Sequence, residues 1–83
     1  MNPDYNPEAR LTHEKLVRAK LSRGEAITPI EALNEFGCMR LSAVIFELKK
    51  QGMKIHTTIV KDGKTGKHYA QYLLQSIWEE SQR

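Results

Sequence analysis

The chain has 83 residues and a formal net charge of +3, so it is long enough for one domain but too short to enclose a large active site. Its single cysteine, Cys38, excludes an internal disulfide, permits an intermolecular one and fits a reducing compartment. The sequence has no apolar run that would span a membrane and no signal-peptide pattern at its start. We therefore expect a cytoplasmic protein with no membrane partner.

Residues 1–11 are polar and predict a flexible N-terminal arm. A first helix is predicted over 12–22 from its apolar periodicity. Its inward-facing side chains are predicted to be Leu16 or Val17, and Leu21. A weaker start signal at 6–8, Asn-Pro-Glu, would extend this helix back by about one turn.

The start of a second helix is clearly marked in the sequence. Thr28 is a suitable N-cap, Pro29 fits the first helical position, and Glu31 completes a capping box. Gly37 can adopt the left-handed conformation that ends a helix. These signals predict a short helix between Thr28 and Gly37.

A third helix is predicted from Arg40, or just before it, to Gln51. An apolar stripe that would face a core consists of Leu41, Val44, Ile45 and Leu48. The opposite side carries Met39, Ala43, Glu47 and Lys50, with Arg40 and Ser42 on the flank. Two short helices joined by a glycine turn form a helix-turn-helix, whose second helix has the size that a DNA major groove admits.

After Gly52 the pattern alternates, which predicts two strands joined by turn residues at 62–67. The first strand has Met53, Ile55, Thr57 and Ile59 on one face and Lys54, His56, Thr58 and Val60 on the other. The second strand has Ala70, Tyr72 and Leu74 on one face. A short strand at 26–27 is predicted beside this hairpin. The whole is an α+β fold over residues 12–74, a winged helix-turn-helix with three helices and a C-terminal β-hairpin wing.

Positive charge is concentrated in the hairpin. Residues 1–52 carry eight Lys or Arg against seven Asp or Glu. Residues 53–74 carry four lysines, at 54, 61, 64 and 67, against the single Asp62. Lysines on a hairpin tip are well suited to follow a phosphate backbone. The alternative is that edge-strand lysines only prevent aggregation between sheets.

Several segments resemble one known family: Arg40-Leu41-Ser42-Ala43, Ile45, Leu48-Lys49-Lys50-Gln51-Gly52, Ile55, Thr57, Gly66-Lys67 and Tyr69-Ala70-Gln71-Tyr72-Leu73-Leu74. The family comprises small winged helix-turn-helix domains common in phages, prophages and bacteria. The segment 27–32 also resembles its opening helix, so the match covers about Leu16 to Leu74. The resemblance implies a DNA-binding domain of the kind found in phage regulators. Val44 departs from the family, which often has arginine at this position.

We expect the protein to bind double-stranded DNA and to regulate transcription or a related DNA transaction, without a cofactor. Arg40 is the best candidate for a guanine contact and Ser42 or Thr28 for a phosphate contact. The wing would touch the adjacent backbone or minor groove. The candidate DNA contacts are Thr28, Met39, Arg40, Ser42, Ala43, Glu47, Lys50, Lys61, Lys64 and Lys67.

Two other functions are considered. A protein-interaction module, such as a phage factor that binds a host protein, is suggested because the reading face has Met39, Ala43 and Phe46 beside a single arginine. An enzyme is not expected, because the histidines at 13, 56 and 68 are scattered and no zinc-ligand spacing is present. Cys38 as a nucleophile would lack an orienting third group.

The tail, residues 75–83, can form a short helix with Leu73 or Leu74 near Ile77 and Trp78. Trp78 would then either cover the end of its own core or pair with a second copy. In the second case, a homodimer through Leu74, Ile77 and Trp78 would place two reading helices on DNA half-sites.

Overall fold

The computed structural model describes residues 7–82, with side chains from residue 12 onward. Its elements are α1 (Pro7–Ser22), α2 (Pro29–Phe36), α3 (Leu41–Lys50), β1 (Ile55–Lys61), β2 (His68–Leu74) and α4 (Gln75–Ser81). This order confirms the winged helix-turn-helix architecture. The described residues form four helices rather than the predicted three, because the tail continues as α4 directly after β2.

Helix α1 starts at the weaker of the two predicted start signals. It begins at Pro7 rather than Thr12. Proline is favourable in the first turn of a helix, because backbone N–H groups there have no acceptor within the helix and proline has no N–H to leave unpaired. Residues 7–11 of the predicted flexible arm are therefore helical, and residues 1–6 of that arm lie outside the described residues. Val17 and Leu21 are fully buried, and Leu16 is exposed.

Helix α2 has both ends that the sequence predicts. The Glu31 backbone N–H donates to the Thr28 hydroxyl at 3.3 Å, and the Glu31 carboxylate accepts from the Thr28 backbone N–H at 3.1 Å. This capping box satisfies backbone donors that would otherwise have no partner at the start of the helix. At the other end Gly37 has a φ of 67°, a left-handed conformation that favours glycine.

A buried lysine joins α1 to α2. The Lys20 ammonium donates to both carboxylate oxygens of Glu35, at 2.7 and 3.0 Å, and lies 3.8 Å from the Glu31 carboxylate. The hydrogen bond that Lys20 donates to Glu35 raises the pKa of Lys20, although burial of the ammonium acts in the opposite direction. A raised lysine pKa means that the stabilisation is fully present at neutral pH and is lost only in strongly alkaline solution.

The apolar stripe of α3 packs in the core, as predicted. The buried core consists of Val17, Leu21, Ile27, Ala32, Cys38, Leu41, Val44, Ile45, Leu48, Ile55 and Tyr72. Helix α3 begins at Leu41, with Arg40 as its N-cap residue. Val44 is only 4% exposed, so this position lies in the core and not on the outer face of α3.

The hairpin meets the core only at its base. Its register pairs Ile55 with Leu74, Thr57 with Tyr72 and Ile59 with Ala70. The expected inner face of β1 is confirmed only at Ile55, which is buried. Beyond it the prediction is wrong, because Thr57 and Ile59 are exposed. The half-buried residues there are His56, Thr58 and Val60, on the face predicted to point outward. The predicted short strand is a single bridge, between Ile27 and Tyr72.

Helix α4 folds back on its own domain. The Trp78 ring stacks on the His56 ring, with a centroid distance of 4.0 Å and an interplanar angle of 22°. Ile77 lies beside the end of α1, where a Cβ placed on Gly24 would be 3.6 Å from the Ile77 Cδ1 atom. Trp78 was expected either to cover its own domain or to pair with a second copy. The contacts of α4 within the chain are those of the first role.

Leu48 and Phe46 lie on opposite sides of α3 and test its orientation. Leu48 is fully buried, so Leu48→Ala should lower the free energy of unfolding by about 2–5 kcal/mol, through lost burial and the cavity left behind. Phe46 is 61% exposed, so Phe46→Ala should leave the melting temperature almost unchanged. Thermal and urea unfolding of the two variants measures the difference. The reverse order of stabilities would contradict this orientation of α3.

The Lys20–Glu35 ion pair should contribute measurable stability. Glu35→Gln removes the charge and keeps the side-chain shape, and should lower the free energy of unfolding by on the order of 1 kcal/mol, because one partner is buried and the other is partly hydrated. Glu80→Gln is the matched control, since Glu80 is an exposed carboxylate on α4. Urea unfolding at neutral pH should show little change for the control. Equal effects of the two substitutions would argue against a special role for Lys20.

Candidate nucleic-acid interface

The turn between α2 and α3 fixes the position of α3. The Gly37 backbone N–H donates to the Leu33 carbonyl at 2.9 Å, and the Cys38 N–H donates to the Ala32 carbonyl at 3.1 Å. Cys38 is buried, with 2% of its surface exposed, and packs in the core like a small apolar residue. The turn is thus closed by backbone hydrogen bonds and anchored by one buried side chain.

The outer face of α3 is uncovered by any other described element. The exposed residues on this face and just before it are Met39, Arg40, Ser42, Ala43, Phe46 and Lys50. Glu47 is half-buried on the flank. Most of the side chains predicted for the DNA-reading surface therefore do lie together on one side of α3. They form a mixed surface in which charged, polar and apolar groups alternate.

Phe46 belongs to this surface, although it was absent from the predicted DNA contacts. It is 61% exposed, and the Lys50 ammonium lies 5.6 Å from the centroid of its ring. A lysine at this distance over an aromatic face makes a cation–π contact. The sequence signal was the spacing of Ala43, Phe46 and Lys50 at three and four residues, which places them on one helix face.

Thr28 has a structural role that conflicts with the predicted phosphate contact. It is only 5% exposed, and its hydroxyl both accepts from the Glu31 backbone and lies 3.0 Å from the Glu31 carboxylate. The capping box that identifies Thr28 in the sequence therefore occupies its hydroxyl group. Of the two phosphate candidates, Ser42 in the first turn of α3 is the one with an exposed side chain.

The loop of the hairpin, residues 62–67, is held by its own hydrogen bonds. The Asp62 N–H donates to the Lys67 carbonyl at 2.8 Å, and the Lys64 N–H donates to the Asp62 carboxylate at 2.8 Å. Lys61, Lys64 and Lys67 are all exposed. Hydrogen bonds thus fix the backbone of the loop, while these three lysine side chains are exposed to solvent. The single carboxylate of the loop, that of Asp62, already accepts a hydrogen bond. We call this hairpin, β1 and β2 with their loop, the wing.

A groove of about 750 Å³ separates the start of α2 from strand β2. Four exposed apolar side chains line it, those of Ile30, Leu33, Met39 and Tyr69. Its charged lining residues among those described are Glu31 and Asp62. This α2–β2 groove is therefore mainly apolar, with two carboxylates among its lining residues. Sequence reasoning missed it because its two walls are far apart in the chain.

Comparison with known protein families gives a match over most of the chain. A family model described as "Winged helix-turn-helix domain" matches residues 12–76. The chain belongs to this family. The matched region of the winged helix-turn-helix domain runs from α1 through the wing into the first residues of α4, and so includes every residue of the candidate interface. No curated protein and no solved structure matches the chain.

Across residues 7–82, none of the helices of the winged helix-turn-helix domain combines the length and the apolar character needed to cross a membrane. Over residues 12–82, no three His, Cys, Asp or Glu side chains are grouped so as to hold a metal ion. A domain of this family is typically a DNA-binding module.

Proposed function

We propose that this winged helix-turn-helix protein binds double-stranded DNA, with α3 in the major groove and the wing on the adjacent backbone or minor groove. The observation that carries the proposal is the uncovered outer face of α3, which has Arg40, Ser42 and Lys50 exposed and belongs to the same small domain as the three wing lysines. The biological role we propose is regulation of transcription or a related DNA transaction. The family resemblance favours a phage, prophage or bacterial regulator.

Each group on this surface has a chemically suitable DNA partner. Arg40 can donate two hydrogen bonds to guanine O6 and N7, and Ser42 can donate to a phosphate oxygen. A carboxylate such as Glu47 can accept from the amino group of cytosine. Met39, Ala43 and Lys50 would complete the contact along the helix. Thr28 is not included, because its hydroxyl is already bonded to Glu31.

A homodimer is a further part of this proposal. Two copies would place two α3 helices on half-sites about one helical turn apart, which raises affinity for a surface with few charges. The contacts of Ile77 and Trp78 with their own domain leave less of the tail for pairing than the sequence suggested. Sedimentation of the full chain at concentrations above its DNA dissociation constant distinguishes a stable dimer from a monomer.

The second candidate function is protein binding, and the α2–β2 groove favours it. A groove with apolar walls and two carboxylates among its lining residues is unsuited to phosphate but suited to an apolar side chain flanked by a cation. A host protein that offers such a segment is the partner we consider. Binding of this kind would depend only weakly on salt, whereas binding to DNA releases counterions and depends on it steeply.

The wing lysines should contribute non-specific affinity. Replacement of Lys64 and Lys67 by alanine should weaken binding to every duplex and reduce the magnitude of the salt slope by about two, because two phosphate contacts are lost. The measurement is a salt series of duplex binding by fluorescence anisotropy. Lys15→Ala is a suitable control, because Lys15 is exposed on α1, which packs on the buried side of α3. An unchanged slope in the double variant would remove the wing from the interface.

Arg40 should contribute sequence preference. Arg40→Ala should cost roughly 1–3 kcal/mol on the preferred duplex and should relax the choice of base at one position, because a bidentate guanine contact is lost. Selection of bound sequences from a random duplex pool, done with both proteins, measures the change. An Arg40→Ala protein that keeps both the affinity and the preference of the unaltered chain would refute the role given to Arg40.

A further inference from the structure

Phe46 lies on the outer face of α3 without a packing partner in the core. It is 61% exposed, while the core residues of the same helix, Leu41, Val44, Ile45 and Leu48, are at most 4% exposed. Keeping a ring of this size in water costs hydrophobic free energy that burial against a partner would recover. The position of Phe46 thus leaves its ring available to a partner that meets the outer face of α3.

The neighbours of Phe46 indicate what kind of partner it contacts. The Lys50 ammonium lies 5.6 Å from the ring centroid, so a positive charge approaches any partner together with the ring. Lysine is depleted in the cores of protein–protein interfaces, whereas it is common beside phosphates. Ala43 precedes Phe46 by one turn and is exposed, which leaves space beside the ring. The combination fits the wall and floor of a DNA groove better than an apolar protein surface.

The major groove offers one apolar group, the C5 methyl of thymine, and aromatic or small aliphatic side chains contact it. We propose that Phe46 is a specificity-determining residue that packs on thymine methyl groups, with Ala43 beside it and Lys50 directed to a phosphate. This inference rests on the proposed DNA-binding function. It adds a preference for thymine to the guanine contact given to Arg40.

Uracil in place of thymine tests the proposal directly, because it removes only the methyl group and keeps base pairing and backbone charge. The probe is a duplex enriched from a random pool by the full chain, compared with the same duplex made with deoxyuridine. The unaltered protein should bind the uracil duplex more weakly by about fourfold for each methyl group contacted, as expected for one buried apolar carbon. Phe46→Ala should bind both duplexes with equal affinity.

Leu16→Ala is the matched control, because Leu16 is also apolar and exposed, at 39%, but lies on α1, outside the proposed interface. This variant should keep the ratio of thymine to uracil affinity that the unaltered protein shows. Melting temperatures of both variants establish that they are folded. The ratio measured on the unaltered protein is itself a test that needs no substitution.

The possible outcomes separate this inference from the function on which it rests. Equal affinity of the unaltered protein for both duplexes, with steep salt dependence, would overturn the thymine contact and leave the proposed DNA binding intact. A thymine preference that persists in Phe46→Ala would overturn the role of this residue. Absence of salt-dependent binding to any duplex would overturn the proposed function and this inference together.

Discussion

The arrangement of this domain depends on a pair of backbone hydrogen bonds between Ile27 and Tyr72. The N–H of each residue donates to the carbonyl of the other at 2.8 Å, and both side chains are buried in the core. Tyr72 also pairs with Thr57 of β1, so β2 is bonded on both sides at this point. Because Ile27 directly precedes the cap of α2, the bridge fixes the start of that helix relative to the wing. The position of α3 then follows from the turn at Gly37.

The helix-turn-helix could be predicted because its signals are local. Thr28, Pro29 and Glu31 define one end of α2 by their own hydrogen-bonding groups, and Gly37 defines the other by its backbone freedom. The loop at 62–67 is also defined locally, by hydrogen bonds among its own residues. Such features need no knowledge of the rest of the fold, and the structure confirms them closely.

Features that depend on distant parts of the chain were predicted less well. The inner face predicted for β1 is wrong beyond Ile55, because Thr57 and Ile59 are exposed while Thr58 and Val60 are half-buried, and burial along a strand depends on which elements pack on it. The 5% exposure of Thr28 also depends on packing, although its hydroxyl is already occupied by the local partner Glu31. The α2–β2 groove likewise arises from packing between separate elements. The outer face of α3 was thus predictable from helix periodicity, whereas the α2–β2 groove, which requires two elements distant in the chain, was not.

The stacking of Trp78 on His56 makes the intrinsic fluorescence of this protein a report on a single place. The chain contains one tryptophan, and its ring lies against β1 with a centroid distance of 4.0 Å. Emission excited selectively from tryptophan therefore follows the docking of α4 on the base of the wing. The outer face of α3 has no tryptophan. A change in tryptophan emission on addition of a partner will therefore report on the contact between α4 and β1, and not directly on a contact made by α3.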